Sequence, residues 1–197
     1  MSPRAYGIMH RLHHAYADTE SDPHSPEHSA NIFAMFWRSR TVYRAIINGT
    51  IQVEERFTRN LPEWPAFDRW AVSGTSAVLW VAIYVAIFIC FATSPWMYLL
   101  LLPVIGMAAV HGAAINWYAH KYGYANYKLK NRSKNLLAFD VFFLGESYHN
   151  NHHKYPSSAN FGSKWHEIDP VYYVIRLFAR IGIIRLSKGT KQAEQTQ

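Results

Sequence analysis

One cysteine among 197 residues leaves no partner for a disulfide and no second thiolate for a zinc or iron–sulfur site. Charge is missing from a long internal stretch: between Trp70 and His120 there is no Asp, Glu, Lys or Arg. No apolar signal region follows Met1. The basic residues outnumber the acidic ones, 20 against 13, but they are scattered rather than striped. That pattern excludes nucleic acid as the partner and suits a surface lying against anionic lipid headgroups. Repeats are absent too, apart from two short histidine clusters.

A bilayer core about 30 Å thick is crossed by roughly 20 apolar residues in a helix. The uncharged stretch has room for two such helices, predicted at about 71–92 and 96–116, with a break at Thr93-Ser94-Pro95. Pro103 and Gly106 fall inside the second, where membrane helices tolerate them. Both outer flanks are rich in Lys and Arg while the connector carries no charge, so the positive-inside rule places both flanks in the cytoplasm. Trp64, Trp70, Trp80, Trp96 and Trp117 gather toward the ends of the spans, where aromatic belts form. The segment from Asn31 to Arg59 mixes apolar and basic residues and is predicted to lie in the membrane interface. Asp169-Pro170 opens a further helix, with Val171, Ile175, Phe178 and Ile181 on one side and Arg176 and Arg180 on another. The tail 187–197 is polar and expected to be disordered. The fold class is therefore an all-α integral membrane protein, multi-pass, built from a transmembrane helical hairpin plus cytoplasmic and interfacial helices that carry the histidines. A long buried hairpin in a soluble protein is the alternative. The glycosylation-type triplets at Asn48 and Asn131 fall on the cytoplasmic side and are read as chance.

Histidine is what the chain has in excess, 11 in all. His10, His13 and His14 share the spacing H-x-x-H-H with His149, His152 and His153. Positions i, i+3 and i+4 fall on one helix face, so each cluster can aim three imidazoles at one spot. Two such faces hold more nitrogen donors than one tetrahedral zinc uses, which points to a dinuclear site. Asn116 and His120 lie one turn apart at the cytoplasmic end of the second span, and His120 joins the set. His111, deeper in the span, is expected to be neutral and hydrogen-bonded. His24, His28 and His166 lack the spacing and are expected at the surface or behind the donors.

In order along the chain stand His10–His14 with Asp22-Pro23-His24-Ser25-Pro26, then Asn116 with His120, then Gly145–His153. This set resembles the membrane fatty acyl desaturases of the delta-9, stearoyl-type group. The resemblance implies an O2-dependent di-iron enzyme that introduces a cis double bond into a fatty acyl chain, reducing O2 to water. Two electrons would come from ferredoxin, rubredoxin or cytochrome b5. It assigns His13, His120, His149 and His153 to one iron, with Asn116 holding a water, and His10, His14 and His152 to the other. It places the partial desaturase domain at 1–186. Family members carry an earlier membrane hairpin and an earlier histidine box, whereas only nine residues precede His10 here. On that ground the chain is expected to be truncated at its N-terminus, and little or no desaturase activity is expected from it alone. Ile8-Met9 stand where animal acyl-CoA desaturases have Arg-Asp, so both a CoA thioester and a lipid ester or carrier-protein substrate stay open. A membrane fatty-acid or alkane hydroxylase, a non-catalytic metal-binding membrane fragment and a soluble zinc protein are the competing readings.

Overall fold

The computed structural model describes residues 1–186, so the tail expected to be disordered lies outside the described residues. Among the described residues there is no β-strand, only an isolated antiparallel bridge between Tyr124 and Asn135. Helix α1 (Pro3–Tyr16) starts where Ser2 Oγ accepts a hydrogen bond from the Ala5 amide at 3.0 Å, with proline in the first turn. Helix α2 (Ile32–Asn48) is capped by Asn31 and ends at Gly49, whose φ of 65° lets Thr50 N–H reach the Ala45 carbonyl at 3.0 Å. It packs on α1 and buries Met35, so the segment predicted to lie in the membrane interface also builds the scaffold of the histidine region. Two short helices follow, α3 (Glu55–Thr58) and α4 (Pro65–Ala71).

Helix α5 (Gly74–Phe91) replaces the first predicted span and begins three residues later than expected. The reason is local: Ser73 Oγ accepts from the Ser76 amide at 3.1 Å and opens a new helix instead of extending α4. Its 18 residues rise about 27 Å, close to the ~30 Å of a hydrocarbon core. Only 6% of this apolar segment is buried within the chain, which argues against the core of a soluble protein.

The second predicted span is not one straight helix. A 3-10 turn (Pro95–Leu100) leads into α6 (Leu101–Tyr118), and the path bends by 64° between Pro95–Met107 and Val110–Tyr118. Pro103 has no amide hydrogen to give to the Leu99 carbonyl, so the chain enters α6 through a tighter turn. Among the described residues one helix is thus long and apolar enough to cross a membrane, and the bent pair makes a second if it counts as a single span.

After α6 a polar connector leads to α7 (His149–Lys154) and then α8 (Pro170–Arg180), which starts at Asp169-Pro170 as the sequence predicts. Asp169 Oδ1 accepts from the Tyr172 amide at 3.1 Å. Val171 and Phe178 on α8, and Ile181 just after it, remain exposed.

Candidate metal centre

The most completely buried large side chains are mainly polar ones. His13, His120, Asn135, Asn150, Asn151 and Asp22 all lie beneath the surface together with Tyr148. Helices α1 and α7 face each other, and the end of α6 brings in His120. Seven imidazoles meet there in two groups, His13, His120, His149 and His153 in one and His10, His14 and His152 in the other. Within each group the ring nitrogens lie within 4.8 Å of one another.

The contacts are made by Nε2 atoms. In the four-ring group His13 lies 3.1 Å from His153, His153 lies 3.0 Å from His149, and His149 lies 3.0 Å from His120. In the three-ring group every pair touches, at 3.0, 3.1 and 2.8 Å. Each Nε2 carries either a hydrogen or a lone pair, and a hydrogen bond needs one of each. Around a triangle that condition cannot be met on all three sides. The four-ring row fails as well. His13 and His120 each direct Nδ1 at a carboxylate, and a hydrogen on Nδ1 toward that acceptor would leave both ends of the row as lone pairs. Three successive contacts cannot then alternate.

A shared cation removes both conflicts, because every Nε2 then presents a lone pair to the metal. The spacing fits. A first-row ion bound by imidazole at about 2.1 Å holds adjacent octahedral donors about 3 Å apart. A neutral, all-nitrogen donor set suits iron, zinc, copper or nickel and is wrong for magnesium or calcium. Six of the rings are held toward the neutral form that a metal needs. Burial lowers His10 to about 4 and His14 to about 3, and drives His13, His149, His152 and His153 well below the ordinary imidazole value.

Carboxylates stand behind one group. Asp22 Oδ1 lies 2.9 Å from His13 Nδ1 and accepts the His24 amide at 2.8 Å, while Oδ2 accepts the Asp18 amide at 2.9 Å. Asp18 Oδ1 lies 2.9 Å from His120 Nδ1, and Oδ2 accepts the Arg132 amide at 2.7 Å. Burial pulls Asp18 upward, but the hydrogen bonds from His120 and Arg132 outweigh it and hold the carboxyl below its usual range. Burial pushes Asp22 up in spite of its amide donors. Elsewhere, Asn131 Nδ2 sits 3.2 Å from His153 Nδ1, and the Nδ1 atoms of His149 and His152 are buried without a hydrogen-bond partner.

A six-residue helix such as α7 does not hold itself in place. Asn135 Oδ1 accepts the otherwise orphaned amides of Asn150 and Asn151 at 2.9 and 3.3 Å. Asn150 and Asn151 point away from the histidine face. Asn150 clamps the connector at Tyr127 and Ser133. Asn151 binds Glu167 Oε2 and the Phe161 carbonyl, both at 2.8 Å. Glu167 in turn accepts Tyr124, Asn126 and the amides of Ser163 and Lys164. Burial pulls Glu167 up, but these donors together hold it below the usual glutamate value.

Asn116, which the resemblance assigns to holding a water, gives its side-chain N–H to the Gly112 carbonyl at 2.8 Å. His111 differs from its expectation: its Nε2 is buried with no hydrogen-bond partner, and the ring packs edge-on against Phe143 at 5.5 Å. His24 is buried behind His13, its ring 5.4 Å away and its Nδ1 2.9 Å from Ser39 Oγ. His28 is exposed, and His166 packs between Phe139 and Trp165. The residues that sequence reasoning missed are Asp18, Asn135 and Glu167. A carboxylate one turn beyond a histidine cluster is a signal that could have flagged Asp18. The other two gave none, being far from the clusters in sequence.

Comparison with known proteins agrees with this geometry. The sequence model of the family described as "Fatty acid desaturase" matches residues 1–183. The chain is 29% identical over 185 residues to "Delta-9 desaturase-like 5 protein" of Arabidopsis thaliana, covering 92% of this chain and 58% of that one. It is 30% identical over 187 residues to "Delta-9 acyl-lipid desaturase 2" of the same plant, covering 94% and 58%. With "sn-1 stearoyl-lipid 9-desaturase" of Anabaena variabilis it shares 26% identity over 204 residues, covering 95% and 65%. The chain thus spans less than two thirds of the length of these relatives. No solved structure matches.

Proposed function

Because this chain belongs to the fatty acid desaturase family, we propose that it serves to introduce a cis double bond into a fatty acyl chain, at the delta-9 position of an acyl lipid. The observation that carries the reading is the meeting of seven imidazoles, from three separate stretches of sequence, in two cation-sized groups. His13, His120, His149 and His153 would hold one iron and His10, His14 and His152 the other, with Asn116 carrying a water beside the first. Bound there, iron would supply the activation of O2. In balance, two hydrogens leave adjacent acyl carbons, two protons and two electrons enter, one C=C forms, and O2 becomes two waters. The electrons come from a ferredoxin, rubredoxin or cytochrome b5. The chain's own part is to bury the rings together and hold α7 against α1. Residues 1–186 act as one domain, with α5 and the bent α6 in the bilayer and the histidines on the cytoplasmic side. The lipid-ester substrate is preferred over a CoA thioester because Ile8 and Met9 offer no charge to a CoA headgroup and are buried in α1.

The test is product analysis in membranes. The chain is expressed alone and fused behind the N-terminal portion of the Arabidopsis acyl-lipid relative, and lipid acyl chains are weighed by mass spectrometry. Acyl chains lighter by two hydrogens from the fusion support desaturation. Chains heavier by one oxygen would make the protein a hydroxylase, and unchanged chains with metal bound would make it a non-catalytic metal binder.

A further inference from the structure

Asp18 has no catalytic spacing, yet it occupies an unusual place. Its φ is 65°, in the left-handed region that non-glycine residues seldom enter and that Asp and Asn tolerate best. The turn that holds it there is closed by its own amide, bonded to Asp22 Oδ2 at 2.9 Å. One of its oxygens lies 2.9 Å from His120 Nδ1, and the other accepts the Arg132 amide at 2.7 Å. The contact joins the turn after α1 to the connector after α6, 114 residues away in sequence.

We propose that Asp18 is a positioning residue that selects the Nδ1–H tautomer of His120 and thereby keeps its Nε2 free to bind a metal. The proposal rests on the metal-centre reading above and goes further by assigning the donor's tautomer to one remote carboxylate. A backbone amide such as Arg132 N–H can only donate, so the oxygen facing it must stay an acceptor. An asparagine at position 18 has one oxygen and one NH2 group. It fits the same φ and the same volume. Its oxygen goes to Arg132, because an NH2 there would face a fixed donor. The NH2 then points at His120 Nδ1 and makes that nitrogen the acceptor. The imidazole hydrogen moves to Nε2, into the donor row. A purely structural role for Asp18 predicts almost no change from Asp18→Asn, since shape and backbone are kept.

The experiment titrates the detergent-solubilised full chain with Co(II) alone and follows its visible absorption. The wild-type chain is expected to fill the four-ring group at the first equivalent. Asp18→Asn is expected to weaken that step about 10–100-fold, the usual cost of losing a partner behind a metal-bound histidine. Asp18→Ala, which leaves the tautomer free, is expected to lose less affinity than Asp18→Asn while losing more thermal stability without metal. Equal Co(II) affinity in the wild type and Asp18→Asn would overturn the proposal. No Co(II) binding by the wild type would instead sink the metal-centre reading on which it rests. Ring nitrogen-15 shifts of His120 in the metal-free wild type give a check that needs no variant. A hydrogen on Nδ1 supports the assignment, and one on Nε2 refutes it.

Discussion

Behind the four-ring group stand two carboxylates and a deep burial; behind the three-ring group stand aromatic rings and partial exposure. Asp18 and Asp22 fix His120 and His13, whereas His10 stacks on Tyr6 at 5.8 Å and His152 lies 4.2 Å from Phe161. All four rings of the first group are buried, while His10 and His14 of the second are half-buried. Three mutually touching nitrogens define one face of a coordination sphere, and no carboxylate among the described residues orients them. Identical H-x-x-H-H spacing therefore does not make identical sites. Spacing sets where the rings point, and the groups behind the rings set how firmly they are held.

Removing one ring puts this contrast to its hardest test. His149→Ala should cost the four-ring group more than about 100-fold in Co(II) affinity, since deleting a donor exceeds the roughly 10–100-fold of deleting its partner. His152→Ala should leave the first, tight equivalent intact and remove only the weaker second. Titration with visible spectroscopy measures both, and equal losses would show that the groups are not distinct.

Acid is the next lever. The folded-state values of His10 and His14, about 4 and about 3, lie below the ordinary 6.5, so the unfolded chain binds more protons in this range. Stability of the metal-free chain should therefore fall as pH drops below about 6.5 and go on falling through about 4 to about 3. Thermal unfolding in detergent as a function of pH reads this directly. A flat profile between about pH 7 and 4 would mean that the rings are not buried together.

Asn135→Ala should cost roughly 1–3 kcal/mol by leaving the Asn150 and Asn151 amides without an acceptor in a buried setting. Both metal steps should weaken together, because α7 feeds rings to both groups. The smallest effect is expected at Asn131, whose amide faces His153 Nδ1. Asn131→Asp supplies an acceptor there and should tighten the four-ring step several-fold, within the range known for such partners. Loss of affinity would mean that His153 presents its other tautomer.

Much of this was legible in the chain. The missing charge between Trp70 and His120 marks the apolar segment that forms α5 and the bent α6. Helix periodicity places three rings of each cluster on one face. Boundaries were less legible: Ser73 stops the extension of α4, and Pro103 with the bend turns the second segment from one straight rod into two pieces. His111 was expected to find a partner, but its neighbour in space is Phe143, which offers none. Glu167 and Asn135 were invisible, since their importance lies in reaching α7 from 16 residues away.

Residue type and near-neighbour spacing were enough to set the donors, their periodicity and the apolar segments, so these could be read along the chain. Which rings meet, which nitrogen of each faces inward, and which carboxylates stand behind them were settled by folding alone. Those outcomes depend on contacts between segments more than a hundred residues apart, such as Asp18 with Arg132, and no local pattern encodes them.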